Sequence, residues 1–400
     1  MKNNSVTAPK GFMAAGVKCG IKVSGKPDMA LLVCPTGATA AAVFTTNKIT
    51  SAAVEVSREH ARSAKVYAVV VNSGCANACT GKLGLANARR MCAMTAAETG
   101  VRPGQVLVAS TGVIGHQLPM AKVTDGITRA AAALSDSPRA GLAFAHAIMT
   151  TDTKCKQAFR QIMLSRKQVR IAGTVKGAGM IGPNMATTLL FVTTDVAISR
   201  PLLNKAFAEA VGGSLNRLTV DGHQSTNDTG VLLASGQAGN PRITKQSRDY
   251  ERFSAALTDL CTDLVRQMAL DAEGATRMFK VVIKGAATQA DAVKAARAIA
   301  DYPLFKCAVH GGDPNWGRII CAVGSSGVAL DPRRLSCKLD DLYVFRNGTP
   351  TDFDVKKAAR IISQREHTIT VDLGIGRAGD FYYGCDLSAG YVHINADYHT

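Results

Sequence analysis

Aromatic residues are scarce in this chain: 12 Phe, 8 Tyr and a single Trp make up 5% of its 400 residues. With 46% hydrophobic residues, that scarcity describes a globular chain long enough for a large core or two lobes, built mainly from small aliphatic side chains. Long apolar runs are also missing. No stretch supplies the roughly 20 uninterrupted apolar residues of a membrane helix. The nearest candidate, the uncharged run between Lys176 and Asp195, is broken by Gly177, Gly179, Gly182 and Pro183. The opening "MKNNSVTAPKGF" has no apolar segment behind its charge, so no secretory signal is read and a cytoplasmic protein is expected. There are 11 cysteines but no Cys-x-x-Cys pair. Cys75 with Cys79 and Cys307 with His310 have metal-like spacing, yet neither has a second pair to complete four ligands. Reduced thiols in small core positions, no metal and no cofactor are therefore expected.

Acidic residues are short in one half only. Residues 1–186 hold 23 Lys+Arg against 7 Asp+Glu, a balance of 23 − 7 = +16, whereas residues 187–400 hold 24 against 23, or +1. A basic nucleic-acid-binding protein is one reading of this, and it would lose affinity steeply with salt. The Lys and Arg residues are nevertheless dispersed, no aromatics interleave with them, and no nucleic-acid module is recognisable. An electropositive surface that attracts small carboxylate substrates, or simply a solvated face, fits the same charge. Neither nucleic acid nor membrane is expected as a partner.

Alternation and β-branched residues predict strands over 65–74, 105–111, 168–177, 187–196, 279–285, 318–324 and 367–374. Alanine-rich segments predict helices over 83–99, 120–134, 139–148, 201–212, 249–271, 288–301 and 354–364. The mixed order points to an α/β (α+β) chain with two sheets packed between helical layers. No repeat or low-complexity linker divides it.

The segment "KGAGMIGPNMATTLLFVTTDV" (176–196) carries the chemical signal. A threonine hydroxyl is hardly ionised at neutral pH and needs a base beside it to act as a nucleophile. A threonine that heads a chain has such a base in its own α-amino group, whose reference pKa is near 8. An internal threonine reaches that position only by cleavage. The Thr187 hydroxyl would attack the Ala186 carbonyl, shift the acyl group from nitrogen to oxygen, and leave an ester for water to hydrolyse. Gly182-Pro183 just upstream is material for the forced turn such a shift needs. By itself the pattern also suits an ordinary threonine at the head of a strand.

This segment resembles the autocleavage motif of the ornithine acetyltransferase family, the bifunctional glutamate N-acetyltransferases of arginine biosynthesis. The resemblance runs through nearly the whole chain, in the family's order: "VNSGCANACTG" (71–81), "ASTGVIG" (109–115), "AIMTTDT" (147–153), "TVDGHQSTNDT" (219–229), "DAEGAT" (271–276), "DPNWGRI" (313–319) and "INADYHT" (394–400). The chain departs from the family at Thr188, where methionine is usual, at Gly182, and at His223-Gln224. Alignment with the family's Met-Ala-Thr favours Thr187 over Thr188 as nucleophile.

The resemblance implies a self-cleaving, N-terminal-nucleophile-like architecture shared with a superfamily of aminopeptidases. Cleavage between Ala186 and Thr187 would give an α chain, 1–186, and a β chain, 187–400, assembled as an α2β2 heterotetramer. It implies acetyl transfer from N2-acetyl-L-ornithine to L-glutamate through an acetyl-Thr187 intermediate. Thr111 and Gly112 match the family's oxyanion donors, the former by its hydroxyl and the latter by its backbone N–H. Thr150, Lys176, Thr187, Glu273, Asn395 and Thr400 match its substrate-binding residues, and charge complementarity pairs Glu273 with the ornithine side-chain ammonium. Acetyl-CoA as a further donor stays open, because family members of both kinds share these motifs. The alternative enzyme is a self-processing aminopeptidase or amidase, in which water takes the acyl group.

Overall fold

The computed structural model describes residues 4–182 and 188–397. Among them, the first eight strands are β1 (Met13–Val17), β2 (Met29–Phe44), β3 (Val66–Cys75), β4 (Val106–Val113), β5 (Lys156–Leu164), β6 (Lys167–Lys176), β7 (Leu189–Thr194) and β8 (Thr229–Ala234). They form one sheet in the order β4-β3-β2-β8-β7-β6-β5, with β1 added on β2. β2 joins its halves. Met29–Val33 pair with β3, Thr39–Phe44 pair with β8, and the register shifts between Val33 and Ala38, where Pro35-Thr36-Gly37 interrupts the pairing.

Alternation along the strands then makes layers. Val69, Val71, Leu107 and Ala109 of β3 and β4 share a core with Leu189, Phe191, Val231 and Leu233 of β7 and β8, where Phe144 meets Phe191 edge-on at 5.3 Å. Their strand neighbours point the other way. Val70, Val106 and Val108 pack with the helices Ala52–His60, Gly81–Thr99 and Met120–Ala132, while Leu190, Val192 and Leu232 pack with Arg200–Gly212 and Arg248–Leu270. Full burial of a side chain such as Phe191 is worth about 1.5–3 kcal/mol. Two sheet layers between helical layers are thus the two halves of one folded sheet.

A second sheet holds β9 (Met278–Ala286), β10 (Ser336–Leu339), β11 (Leu342–Arg346), β12 (Thr349–Pro350), β13 (Glu366–Asp372) and β14 (Ala378–Cys385), in the order β12-β11-β10-β13-β9-β14. Val281, Ile283, Ile369 and Val371 bury one of its faces against helices Gln289–Asp301, Trp316–Gly324 and Val355–Ile362. The strand predicted over 318–324 is a helix, Trp316–Gly324. The Asn315 side chain caps it by accepting from the Arg318 N–H, and Ile319, Ala322 and Val323 are buried at helical spacing. A short apolar run carries both periods, and the cap decides between them.

The other predicted strands correspond to β3, β4, β6, β7, β9 and β13, and all seven predicted helices are present. Helix Arg248–Leu270 shows why. Ser247 accepts from Tyr250 N, acids occupy the first turn, and Phe253, Leu257, Leu260, Leu264 and Met268 recur on one buried face. Among the described residues, no helix is long and apolar enough to cross a membrane.

Candidate active site

The carboxyl ends of β4 and β6 open on a cavity of about 260 Å³. Thr111, Gly112, Thr150, Lys176, Glu273 and Asn395 all line it. Ala186, Thr187 and Thr400, the other residues singled out in the sequence, lie outside the described residues. The first described residue after the gap, Thr188, is buried, is not among the lining residues, and leads into β7.

Gly112 sits at φ +131°, a backbone region that disfavours side chains, and a Cβ there would fall 2.3 Å from the Gly74 carbonyl carbon. Glycine thus lets β4 turn against β3 at the cavity wall, where the pairing shifts register at Cys75. Beside it, Thr111 Oγ1 accepts a 3.0 Å hydrogen bond from Lys176 Nζ. Lys176, the last residue of β6, is only 1% exposed. Burial pushes its ammonium down from the ordinary lysine value, and the like charge of Lys156 adds to this, while Asp152, Asp228 and Glu273 oppose it.

Beneath Lys176 lies an ionic network that the sequence reading did not find. Lys156 Nζ donates to Asp152 Oδ1 at 2.5 Å and to Asp271 Oδ2 at 2.6 Å, and all three side chains are at most 4% exposed. Asp152 also accepts from Gly177 N at 2.8 Å and Thr150 N at 3.0 Å, which ties the end of β6 to the loop that carries Thr150. Burial alone would raise the Asp152 carboxyl, but Lys156 and then Lys176 more than offset it and hold it at about 2. Asp152 and Asp271 stand within "AIMTTDT" and "DAEGAT", so the signal was in the motifs; their partner Lys156 lies outside any motif.

Asn227 performs a similar structural task, donating to Ala76 O at 2.6 Å and Ser110 O at 2.7 Å. It fastens "TND" to the ends of β3 and β4. Next to it, fully buried Asp228 accepts from Thr188 N at 2.7 Å. Burial raises its carboxyl well above the usual range, more than the Thr188 N–H and Lys176 lower it.

Two carboxylates also line the cavity. Glu273 accepts from Asn395 Nδ2 at 2.9 Å, and Gly179 packs so closely that a Cβ there would fall 2.1 Å from Glu273 Oε2. Asp221, also not singled out from the sequence, accepts from Met180 N at 2.7 Å and Tyr391 Oη at 3.2 Å, and His223 stands beside it at the mouth. The described lining thus offers one buried ammonium, two carboxylates and several hydroxyl groups. This set suits a small amino acid that carries charges of both signs. Among the described residues no cluster of three or more His, Cys, Asp or Glu is arranged to hold a metal ion.

Residues 13–400 match the model of the ArgJ family. An arginine biosynthesis bifunctional protein ArgJ from Symbiobacterium thermophilum is 47% identical over 397 residues, which covers 99% of this chain and 98% of that protein. Its namesake from Dehalococcoides mccartyi is 44% identical over 402 residues, covering 100% of this chain and 98% of that one. Among solved structures, the arginine biosynthesis bifunctional protein of Bacillus halodurans superposes with a TM-score of 0.51 at 39% identity, covering 52% of this chain and 98% of that chain.

Proposed function

The chain belongs to the ArgJ family and is an acetyl-transferring enzyme of arginine biosynthesis; on that premise we propose that it cuts itself between Ala186 and Thr187 and carries acetyl on Thr187 from N2-acetyl-L-ornithine to L-glutamate. The Thr187 hydroxyl, its proton taken by the α-amino group that cleavage frees, attacks the acetyl carbonyl. The α-amine of ornithine leaves with a proton. The α-amine of glutamate then attacks the ester, giving N-acetylglutamate and restoring the hydroxyl. Thr111 and the Gly112 N–H stabilise the oxyanion in both halves.

One observation carries this reading: Lys176 donates to Thr111 Oγ1. An ammonium has only donors, so the bond does not use the Thr111 hydrogen, which stays available for an oxyanion. Lys176 is also the cation for a substrate α-carboxylate, Thr150, Asn395 and Thr400 are polar partners, and Glu273 meets the ornithine side-chain ammonium. Burial of Thr188 supports Thr187 as the nucleophile. The Bacillus halodurans chain, matched almost entirely by 52% of this one, supports a break near the middle.

The two chains form an α2β2 assembly in the cytoplasm, a stoichiometry that native mass measurement tests. Because the relatives are named bifunctional, acetyl-CoA is proposed as a second acetyl donor, testable by following N-acetylglutamate formed without acetylornithine. Partition of the acetyl-enzyme between glutamate and water separates this transferase from an amidase. Intact mass under denaturing conditions tests the cleavage. Fragments of 186 and 400 − 186 = 214 residues are expected, apart from trimming of Met1, and Thr187→Ala should stay one chain. A wild-type enzyme active while uncut would overturn the mechanism.

A further inference from the structure

Two substrates of opposite side-chain charge must use this one cavity, if the acetyl-transfer reading on which this inference rests is right. The donor's side chain ends in an ammonium and the acceptor's in a carboxylate. Both must present their α-nitrogen to the same nucleophile, so their side chains extend into the same space. The carboxylates of Asp221 and Glu273 favour the first and repel the second. Lys176 does not reverse that preference, since it is buried and held on Thr111.

His223 can. It lines the cavity, its Nδ1 is 3.3 Å from Asp221 Oδ1, and its own backbone N–H donates to that oxygen at 3.1 Å. Its side chain is 70% exposed while that of Asp221 is 6% exposed, so the imidazole faces solvent next to a carboxylate that hardly meets water. Among the described residues, the charged and titratable groups around the pair include Lys306, whose Nζ donates to Val220 O at 2.7 Å, and Cys385, which lies within electrostatic reach of Asp221. Tyr391 Oη donates to the other Asp221 oxygen, and Glu273 and Lys176 line the same cavity. Asp301 lies behind Gly222, already paired with Arg297 at 3.0 Å.

We propose that His223 lets one cavity serve both half-reactions, unprotonated beside Asp221 while the ammonium-ended donor is held and protonated there while the carboxylate-ended acceptor is held. Histidine is the side chain whose ordinary titration falls between pH 5 and 8, so a proton from solvent can be taken up with glutamate and returned when product leaves. No covalent step is involved. A ligand preferring the protonated form binds best below the histidine pKa of the free enzyme, and loses that advantage as pH rises through the value in the complex. The ammonium-ended ligand behaves in the opposite way, because a protonated His223 competes with it for Asp221.

Two unreactive five-carbon acids isolate the charge at the chain end: glutarate, which ends in carboxylate, and 5-aminopentanoate, which ends in ammonium. Their dissociation constants are measured by calorimetry on the cleaved enzyme from pH 5.5 to 8.5. Glutarate should weaken about fivefold across this range and 5-aminopentanoate should tighten by a similar factor, the size expected for a solvent-screened charge pair. In His223→Gln both profiles should be flat, and in His223→Arg glutarate should be favoured throughout. Ratios that do not move with pH, or that move equally in His223→Gln, would overturn the proposal. Acetyl transfer is assayed separately on the same samples. Its absence in the wild type would sink the functional reading, whereas flat wild-type binding profiles with intact transfer would sink only the role of His223.

Discussion

Lys176 Nζ donates to Thr111 Oγ1 across 3.0 Å, joining the end of β6 to the end of β4 at the cavity wall. In the proposed function one residue is the substrate cation and the other an oxyanion donor, so on that proposal the bond would couple binding to catalysis. It holds the threonine rotamer while sparing its hydrogen.

Thr111→Ala should therefore affect turnover more than affinity. A donor aimed at charge that develops in the transition state gives little to the neutral carbonyl. Turnover should fall by roughly 10²- to 10³-fold, about 2.7–4 kcal/mol, with the Michaelis constant much less changed. Steady-state kinetics on enzyme proved to be fully cleaved makes the comparison. Near-normal turnover would send the search for the oxyanion hole elsewhere.

An acetyl-threonine intermediate requires ping-pong kinetics, with parallel double-reciprocal lines for N-acetylornithine and glutamate. Acetylornithine without glutamate should add one acetyl group to the 187–400 chain in a rapid-quench mass spectrum. Intersecting lines and no trapped acetyl would point to direct transfer instead.

Gly179→Ala should weaken donor binding without touching the nucleophile. The added Cβ would lie 2.1 Å from Glu273 Oε2, so the carboxylate must move away from its place beside Asn395. The Michaelis constant for N-acetylornithine should rise about tenfold or more, the loss of one charge-assisted hydrogen bond. An unchanged constant would mean that Glu273 does not meet the ornithine ammonium.

Asp152 makes stability depend on acid. Its carboxyl lies at about 2 in the folded protein against an ordinary 3.8, despite burial that would raise it, because Lys156 and Lys176 hold its charge. A depressed folded value stabilises above the unfolded pKa and is lost as pH falls through the folded one. The contribution, about 2 kcal/mol at pH 5 and above, should therefore shrink between pH 3.8 and 2. Asp152→Asn should be less stable at pH 5, since it leaves two buried ammonium groups with one fewer counter-charge. Thermal unfolding at pH 5 and pH 2.5 should show the gap to wild type narrowing with acid. A gap that is constant or widens would exclude this ionic role.

Local pattern alone determined a good deal. Helices with capped ends and buried faces at helical spacing, such as Arg248–Leu270, were legible because their signals are contained in consecutive residues. So were β3, β4, β6, β9 and β13, whose β-branched runs have no competing cap. The family resemblance also named six residues that meet in one cavity, since "ASTGVIG", "DAEGAT" and their companions are contiguous strings. Tertiary structure decided what depends on distant partners. β2 escaped recognition because its alanines, proline and glycine resemble a loop until β3 and β8 pair with its two ends. The run 318–324 read as a strand because its apolar pattern is short; its Asn315 cap is local, and burial of Ile319, Ala322 and Val323 under the second sheet matches the helical period. Lys156 carries no motif at all, and its place between Asp152 and Asp271, 115 residues away in sequence, exists only after folding. Burial explains the difference: it makes the pairing of such charges obligatory, and it is a property of the packed chain rather than of any segment.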